Sequence, residues 1–197
     1  MISYIRGTLV EKTPARIVVE AAGVGYEMLI PLSSFDTLGP VGSEALVRTH
    51  FHVREDAHEL YGFATEKERW LFRLLLTVSG IGPRSALTIL SGVGVDDFCD
   101  AIVREETDTL TAISGVGRKT AQRLIVELKS KISQQDVQLI GSGAKGPSGN
   151  AVAEAVQALI SLGFTGPIAR KAVEKYAEGA KETLGVEELI RGALKNT

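Results

Sequence analysis

From the N-terminus to about Phe63, apolar and polar residues alternate with period two. MISYIRGTLVEK, Arg16 to Glu20, Tyr26 to Pro31, Leu46 to Arg54 and Glu59 to Phe63 all follow it, separated by Thr13-Pro14, Gly23-Val24-Gly25 and Gly39-Pro40. Successive strand residues face opposite sides, so this pattern predicts about five short antiparallel strands. For about 60 residues, a closed or nearly closed barrel of the OB type buries one face of every strand and hides the edges. In the strand from Leu46, one face carries Val47, Thr49, Phe51 and Val53 and the other Arg48, His50, His52 and Arg54. The second face is expected to be wet, with the histidines at the surface.

At Thr65 the period changes. Thr65 with Glu68 three positions later has the form of a capping box, and Trp70, Leu71, Leu74, Leu75 and Val78 follow at helical spacing. Helices are predicted to about Ile132. Ser133 to Asn150, SQQDVQLIGSGAKGPSGN, is polar, Gly/Ser-rich and aperiodic, and predicts a flexible linker. Three short helices are expected beyond it, lined by Val152, Val156, Leu159 and Leu162, by Ile168, Ala172 and Tyr176, and by Val186, Leu189, Ile190 and Ala193. The fold class is therefore α+β with several domains: an OB-like barrel (1–63), an all-α part (64–132), a linker (133–149) and a three-helix part (150–197).

Composition narrows the class of protein. The 197 residues are 44% hydrophobic and 23% charged, a globular balance, and no apolar run reaches the length of a membrane span. The N-terminus alternates instead of showing a signal peptide's charged and apolar blocks, so a cytoplasmic protein with no membrane partner is the expectation. A single cysteine, Cys99, excludes an internal disulfide and a multi-cysteine zinc site; it reads as a small buried apolar residue. The net charge of −2 hides an uneven distribution. Residues 1–63 hold five Lys/Arg against eight Asp/Glu, whereas Ser114 to Lys131 holds Arg118, Lys119, Arg123, Lys129 and Lys131 against Glu127 alone. A partner attracted by positive charge would bind in the middle of the chain.

That region contains a repeat. SGIGPRSALTIL (79–90) and SGVGRKTAQRLI (114–125) align at an offset of 35 residues, with Ser79, Gly80, Gly82 and Ala86 matching Ser114, Gly115, Gly117 and Ala121. Ile81/Val116, Arg84/Lys119 and Ser85/Thr120 are conservative pairs. Each copy predicts a helix, a glycine turn and a second helix, with an apolar residue between the glycines to fill the gap. The start of the second helix would present free N–H groups and the positive end of its dipole, which suits a phosphate. Pro83 favours a first helical position, and Arg84, Arg118, Lys119 and Arg123 add charge without base specificity. This is the helix-hairpin-helix pattern; the alternative is a plain αα-hairpin whose glycines serve packing. Ser91-Gly92-Val93-Gly94 has the same spacing but is followed by Asp96 and Asp97, which repel phosphate, and predicts only a helix stop and restart.

Glu55 and Asp56 fall at the expected hairpin tip in VREDAHELYGF. Three readings are open: an ordinary solvated turn, a nuclease-like metal site with Glu59 and His50, His52 or His58, and a negative prong that keeps a neighbouring nucleic-acid backbone away.

These features together resemble the RuvA family of Holliday-junction recognition subunits. GVGYE (23–27), HFHVREDAHELYGF (50–63), LLLTVSGIGPRSAL and SGVGRKTAQRLIVELK carry the resemblance, which spans essentially the whole chain. It implies homotetramers, or pairs of them, on an open, nearly planar four-way DNA junction, serving recombination, DNA repair and the SOS response. Glu55 and Asp56 would form an acidic pin that parts strands at the centre. Gly80, Gly82 and Arg84, and Gly115, Gly117, Arg118, Lys119 and Arg123, would grip the DNA arms. The tail, whose Leu162-Gly163-Phe164 turn resembles a ubiquitin-associated three-helix fold, would bind a RuvB-type hexameric ATPase, with a RuvC-type resolvase as a further partner. No cofactor, metal or catalytic residue is implied.

The residues themselves bear on the motor. Gly117-Arg118-Lys119-Thr120 lacks the upstream glycine of a P-loop, and Gly141 to Pro147 lacks its Gly-Lys-Ser/Thr ending, so ATP hydrolysis is expected of a partner. A structure-specific nuclease using the same hairpins and a helical protein adaptor are the rival functions.

Overall fold

The computed structural model describes residues 1–132, 151–178 and 185–195, which fall into two compact units, Met1–Gly143 and Ala144–Thr197. The expected linker lies outside the described residues. In the first unit, β1 (Tyr4–Thr13), β2 (Arg16–Ala21), β3 (Val24–Leu29), β4 (Glu44–Val53) and β5 (His58–Phe63) close a barrel in the order β1-β2-β3-β5-β4. Gly7 is required where β1 crosses β2, because a Cβ there would stand 2.0 Å from the Glu20 carbonyl oxygen. The inward residues Ile5, Leu9, Ile17, Val19, Met28 and Val47 form the barrel core.

Three expectations about this part need correction. The barrel is not wholly antiparallel: β3 and β5 pair in parallel at Leu29 and Tyr61, and this pairing closes it. A short helix, α1 (Leu32–Thr37), separates β3 from β4 where the sequence pattern set no element. The second face of β4 is also only partly wet: Arg54 is exposed, but Arg48, His50 and His52 are half-buried. His50 packs edge-on against Phe72, 5.3 Å between centroids, and stacks on His52; its buried Nδ1 has no hydrogen-bond partner among the described residues. The cover comes from α2 (Glu66–Leu75), an element that period-two reasoning about one strand does not contain.

The capping box opens α2 as expected: the Thr65 hydroxyl accepts from the Glu68 amide, and Glu68 accepts from the Thr65 amide. Glu68 has a second task. Its Oε1 accepts from Ser33 Oγ at 2.5 Å, and Ser34 Oγ accepts from the Ala64 amide at 2.9 Å, tying α1 to the start of α2. Beyond α2 come α3 (Pro83–Gly92), α4 (Val95–Val103), α5 (Thr107–Thr111) and α6 (Arg118–Leu128). Their core includes Leu71, Phe72, Ile89, Phe98, Ile102, Leu110 and Leu124, and it continues without a break into Tyr61 and Phe63 of β5. Cys99 belongs to it; burial, and after it Asp96 and Asp100, push its thiol up to about 12, so it is an inert apolar residue as expected.

The second unit holds α7 (Ala151–Ser161), α8 (Gly166–Glu178) and α9 (Val186–Lys195) around Ala155, Val156, Leu159, Ala169, Val173, Leu189 and Ala193. Leu162 and Ile168, expected to line the helices, are exposed at 62% and 49%. The α7 helix ends one residue before Leu162, and the inward stripe of α8 runs through Ala169 and Val173.

Candidate nucleic-acid interface

The two glycine turns have one geometry. Gly80 and Gly115 lie at φ +82° and +80°, a region that only glycine enters cheaply, and reverse the chain after α2 and α5. In each, the residue between the glycines donates back across the turn, Ile81 to the Val78 carbonyl at 3.1 Å and Val116 to the Ile113 carbonyl at 3.0 Å. Val116 is buried and Ile81 packs against the same core, so both fill the gap between their helices. Gly82 and Gly117 then cap α3 and α6 with extended backbone and no side-chain hydrogen bond. Pro83 takes the first position of α3 as expected.

Gly82 and Gly117 do not serve packing. A Cβ at either position would meet no heavy atom within 4 Å, in contrast to Gly7 or Gly62, where neighbours stand at 2.0 and 2.9 Å. The space beside the orphan N–H groups of both helix starts is therefore open. At the third turn, Gly94 caps α4, but the Asp97 carboxylate lies 3.1 Å from where its Cβ would stand, and Asp96 pairs with Lys67 at 2.9 Å. A helix stops and restarts there with its own anions over the start, as expected.

The two turns lie side by side. A cleft between them is lined by Gly80, Ser85 and Thr88 from the first hairpin and Ser114, Gly115 and Thr120 from the second. Its hydroxyls were not among the expected site residues, although the Ser85/Thr120 pairing in the repeat was the available signal. Of the expected cations, Arg84 is 85% exposed at the start of α3. Lys119 is exposed and forms no ion pair among the described residues. Arg118 borders a hollow shared with Glu105, Glu106 and Asp108. Arg123 does not stay with the second turn. Its Nη1 donates to the Ser79 carbonyl at 2.8 Å and reaches Gly80, so α6 lends its charge to the first turn. Lys131, two helical turns further on, donates to Thr77 Oγ1 at 3.0 Å and fastens the same corner.

The acidic hairpin is a tight reversal in which the Arg54 amide donates to the Ala57 carbonyl at 2.8 Å, leaving Glu55 and Asp56 exposed at the tip. Asp56 stands 3.8 Å from Arg54, and Glu55 has no ion-pair partner among the described residues. Among the described residues no group of three or more His, Cys, Asp or Glu converges to hold a metal ion, and no helix is long and apolar enough to cross a membrane. In the tail, α7 ends in a Schellman turn: Phe164 N–H donates to Leu159 O and Gly163 N–H to Ile160 O, with Gly163 at φ +100°. Phe164 packs into the three-helix core, and Leu162 is left outside.

A five-stranded barrel carrying paired glycine-turn hairpins, whose second helices start without a side-chain cap, defines a tandem helix-hairpin-helix protein. Models of the RuvA N-terminal domain, a SAM-like helix-hairpin-helix tandem and the RuvA C-terminal domain match residues 1–62, 72–130 and 150–196. Proteins named Holliday junction branch migration complex subunit RuvA match over nearly the whole length. That of Shewanella baltica is 44% identical, covering 100% of this chain and 99% of its own. Those of Pasteurella multocida and Coxiella burnetii are 45% and 44% identical, covering 99% of this chain and 98% and 97% of their own. The chain belongs to the RuvA family.

Proposed function

We propose that this protein binds four-way DNA junctions without reading sequence and guides their strands while a separate ATPase moves the branch point. The observation that carries the reading is the empty space at Gly82 and Gly117, beside helix-start N–H groups that no side chain caps. Gly80, Gly82 and Arg84 with Arg123 hold one phosphate, and Gly115, Gly117, Arg118 and Lys119 a second on the same arm. Glu55 and Asp56, exposed at the tip of the β4–β5 hairpin, deny the junction centre to the DNA backbone. The relatives' names attach them to a branch migration complex, and this chain takes the non-motor place in such a complex, as a cytoplasmic homotetramer or pair of tetramers. The divisions 1–63, 64–132 and 150–197 correspond to barrel, grip and tail. Leu162, exposed on the rigid Gly163 turn that Phe164 anchors, offers the tail an apolar contact for a RuvB-type ATPase, and a RuvC-type resolvase can share the open junction.

The test is a titration of labelled junction and labelled duplex with the wild type and with Glu55→Gln/Asp56→Asn. Neutralising the tip is expected to keep or tighten binding while reducing the preference for the junction. A loss of affinity, or cleavage of the junction in Mg2+ by the wild type, would contradict the reading. For the tail, Leu162→Ser is expected to abolish stimulation of a RuvB-type ATPase with junction binding intact.

A further inference from the structure

Glu59 lies in β5 between the acidic tip and the first basic helix start, and its carboxylate is fixed. The Tyr61 hydroxyl donates to Oε2 at 2.9 Å, and Tyr61, 1% exposed, is packed on Phe72. The two carboxylate oxygens face two arginines from different elements: Oε2 is 3.7 Å from Arg54 Nη2, and Oε1 is 3.9 Å from Arg84 Nη2. With Asp56 beside Arg54, charges alternate along Asp56, Arg54, Glu59 and Arg84, from the hairpin tip to the start of α3. The Glu59 side chain is 22% exposed against 52%, 80% and 85% for Arg54, Asp56 and Arg84, so it is the most buried of the four and faces both arginines from a fixed place.

Without the Glu59 charge, Asp56 would still face Arg54, but Arg84 would be left uncompensated at the foot of the acidic hairpin, and any phosphodiester backbone could settle beside it. We propose that Glu59 is a specificity-determining residue that balances Arg54 and Arg84, so that a phosphate gains at Arg84 only where it also meets the N–H groups of α3. This inference rests on the junction reading above. A duplex lying across the foot of the hairpin finds no net attraction there, whereas an arm seated on the helix start does.

Full-length protein is titrated with labelled four-way junction and labelled plain duplex over a range of salt concentrations. Glu59→Gln keeps an acceptor for the Tyr61 hydroxyl and removes the charge. Duplex binding is expected to tighten about two- to fivefold, the range spanned by one exposed ion pair, with junction binding changing less. The salt dependence of duplex binding is expected to steepen by about one charge. Glu59→Asp retains wild-type selectivity, and adding Arg84→Gln to Glu59→Gln removes the gain. An unchanged junction-to-duplex ratio in a Glu59→Gln variant that melts like the wild type overturns the inference, as does equal weakening on both DNAs. A wild type that binds duplex as well as junction overturns the junction reading and this inference with it; a selective wild type beside an unaltered Glu59→Gln variant overturns this inference alone.

Discussion

Gly82→Ala and Gly117→Ala together separate a glycine kept for the fold from one kept for a ligand. Both positions have negative φ, −93° and −79°, and an added methyl meets nothing within 4 Å. On the stability side, a stiffer unfolded chain contributes about 0.4–1 kcal/mol and a poorer N-cap costs about 0.5–1.5 kcal/mol, so the melting midpoint should barely move. On the binding side, the methyl occupies the approach to the helix-start N–H groups. Losing one charge-assisted hydrogen bond of about 1.5–3 kcal/mol lowers affinity roughly 10- to 100-fold. Gly80→Ala and Gly115→Ala behave differently, because φ of +82° and +80° costs a non-glycine residue about 1–2 kcal/mol, and these variants should melt earlier. Fluorescence anisotropy with a labelled four-way junction, alongside thermal unfolding, reads both effects. Stable Gly82→Ala/Gly117→Ala protein that binds the junction within about twofold of wild type would show that the open space is not a phosphate site.

Arg118→Ala/Lys119→Ala is expected to leave the fold intact and to flatten the log-affinity against log-salt slope by about 0.9 for each phosphate no longer neutralised; an unchanged slope would exclude both side chains as phosphate ligands. Arg123→Gln should weaken binding and also lower the melting temperature, because that guanidinium holds the Ser79 carbonyl. His50 has a pKa lowered by burial and then by Arg73, His52 and Arg69, so below pH 6.5 the unfolded chain takes up a proton that the folded one refuses. The His50 contribution to stability should therefore be constant above pH 6.5 and be lost as pH drops from there toward the lowered value, and His50→Leu should reduce that fall; equal acid-side pH profiles for the two proteins would rule His50 out.

Local chemistry made much of this molecule legible in its sequence. The period-two runs became strands, Thr65 and Glu68 formed their box, and the two matching turns adopted matching dihedrals, because each depends on residues within a few positions of one another. What escaped depends on distant partners. The cover over His50 comes from α2, the parallel pairing of Leu29 with Tyr61 joins strands far apart in the chain, and Arg123 crosses from one hairpin to the other. The candidate site residues were chosen by type and spacing. Which of them are paired, as Arg84 is with Glu59, depends on how β5 lies beside α3.

The continuity of Tyr61 and Phe63 with the helical core bears on how the chain is made. Strand β5 is complete once residue 63 has been synthesised, but its aromatic side chains gain their cover from Leu71, Phe72 and the helices up to Leu128. At about 5–20 residues per second, that interval lasts several seconds on the ribosome. During it a nearly closed barrel carries an apolar, aromatic face turned outward. A fragment ending at Phe63 keeps that face permanently, and will associate with itself or with a chaperone where the longer chain folds over it.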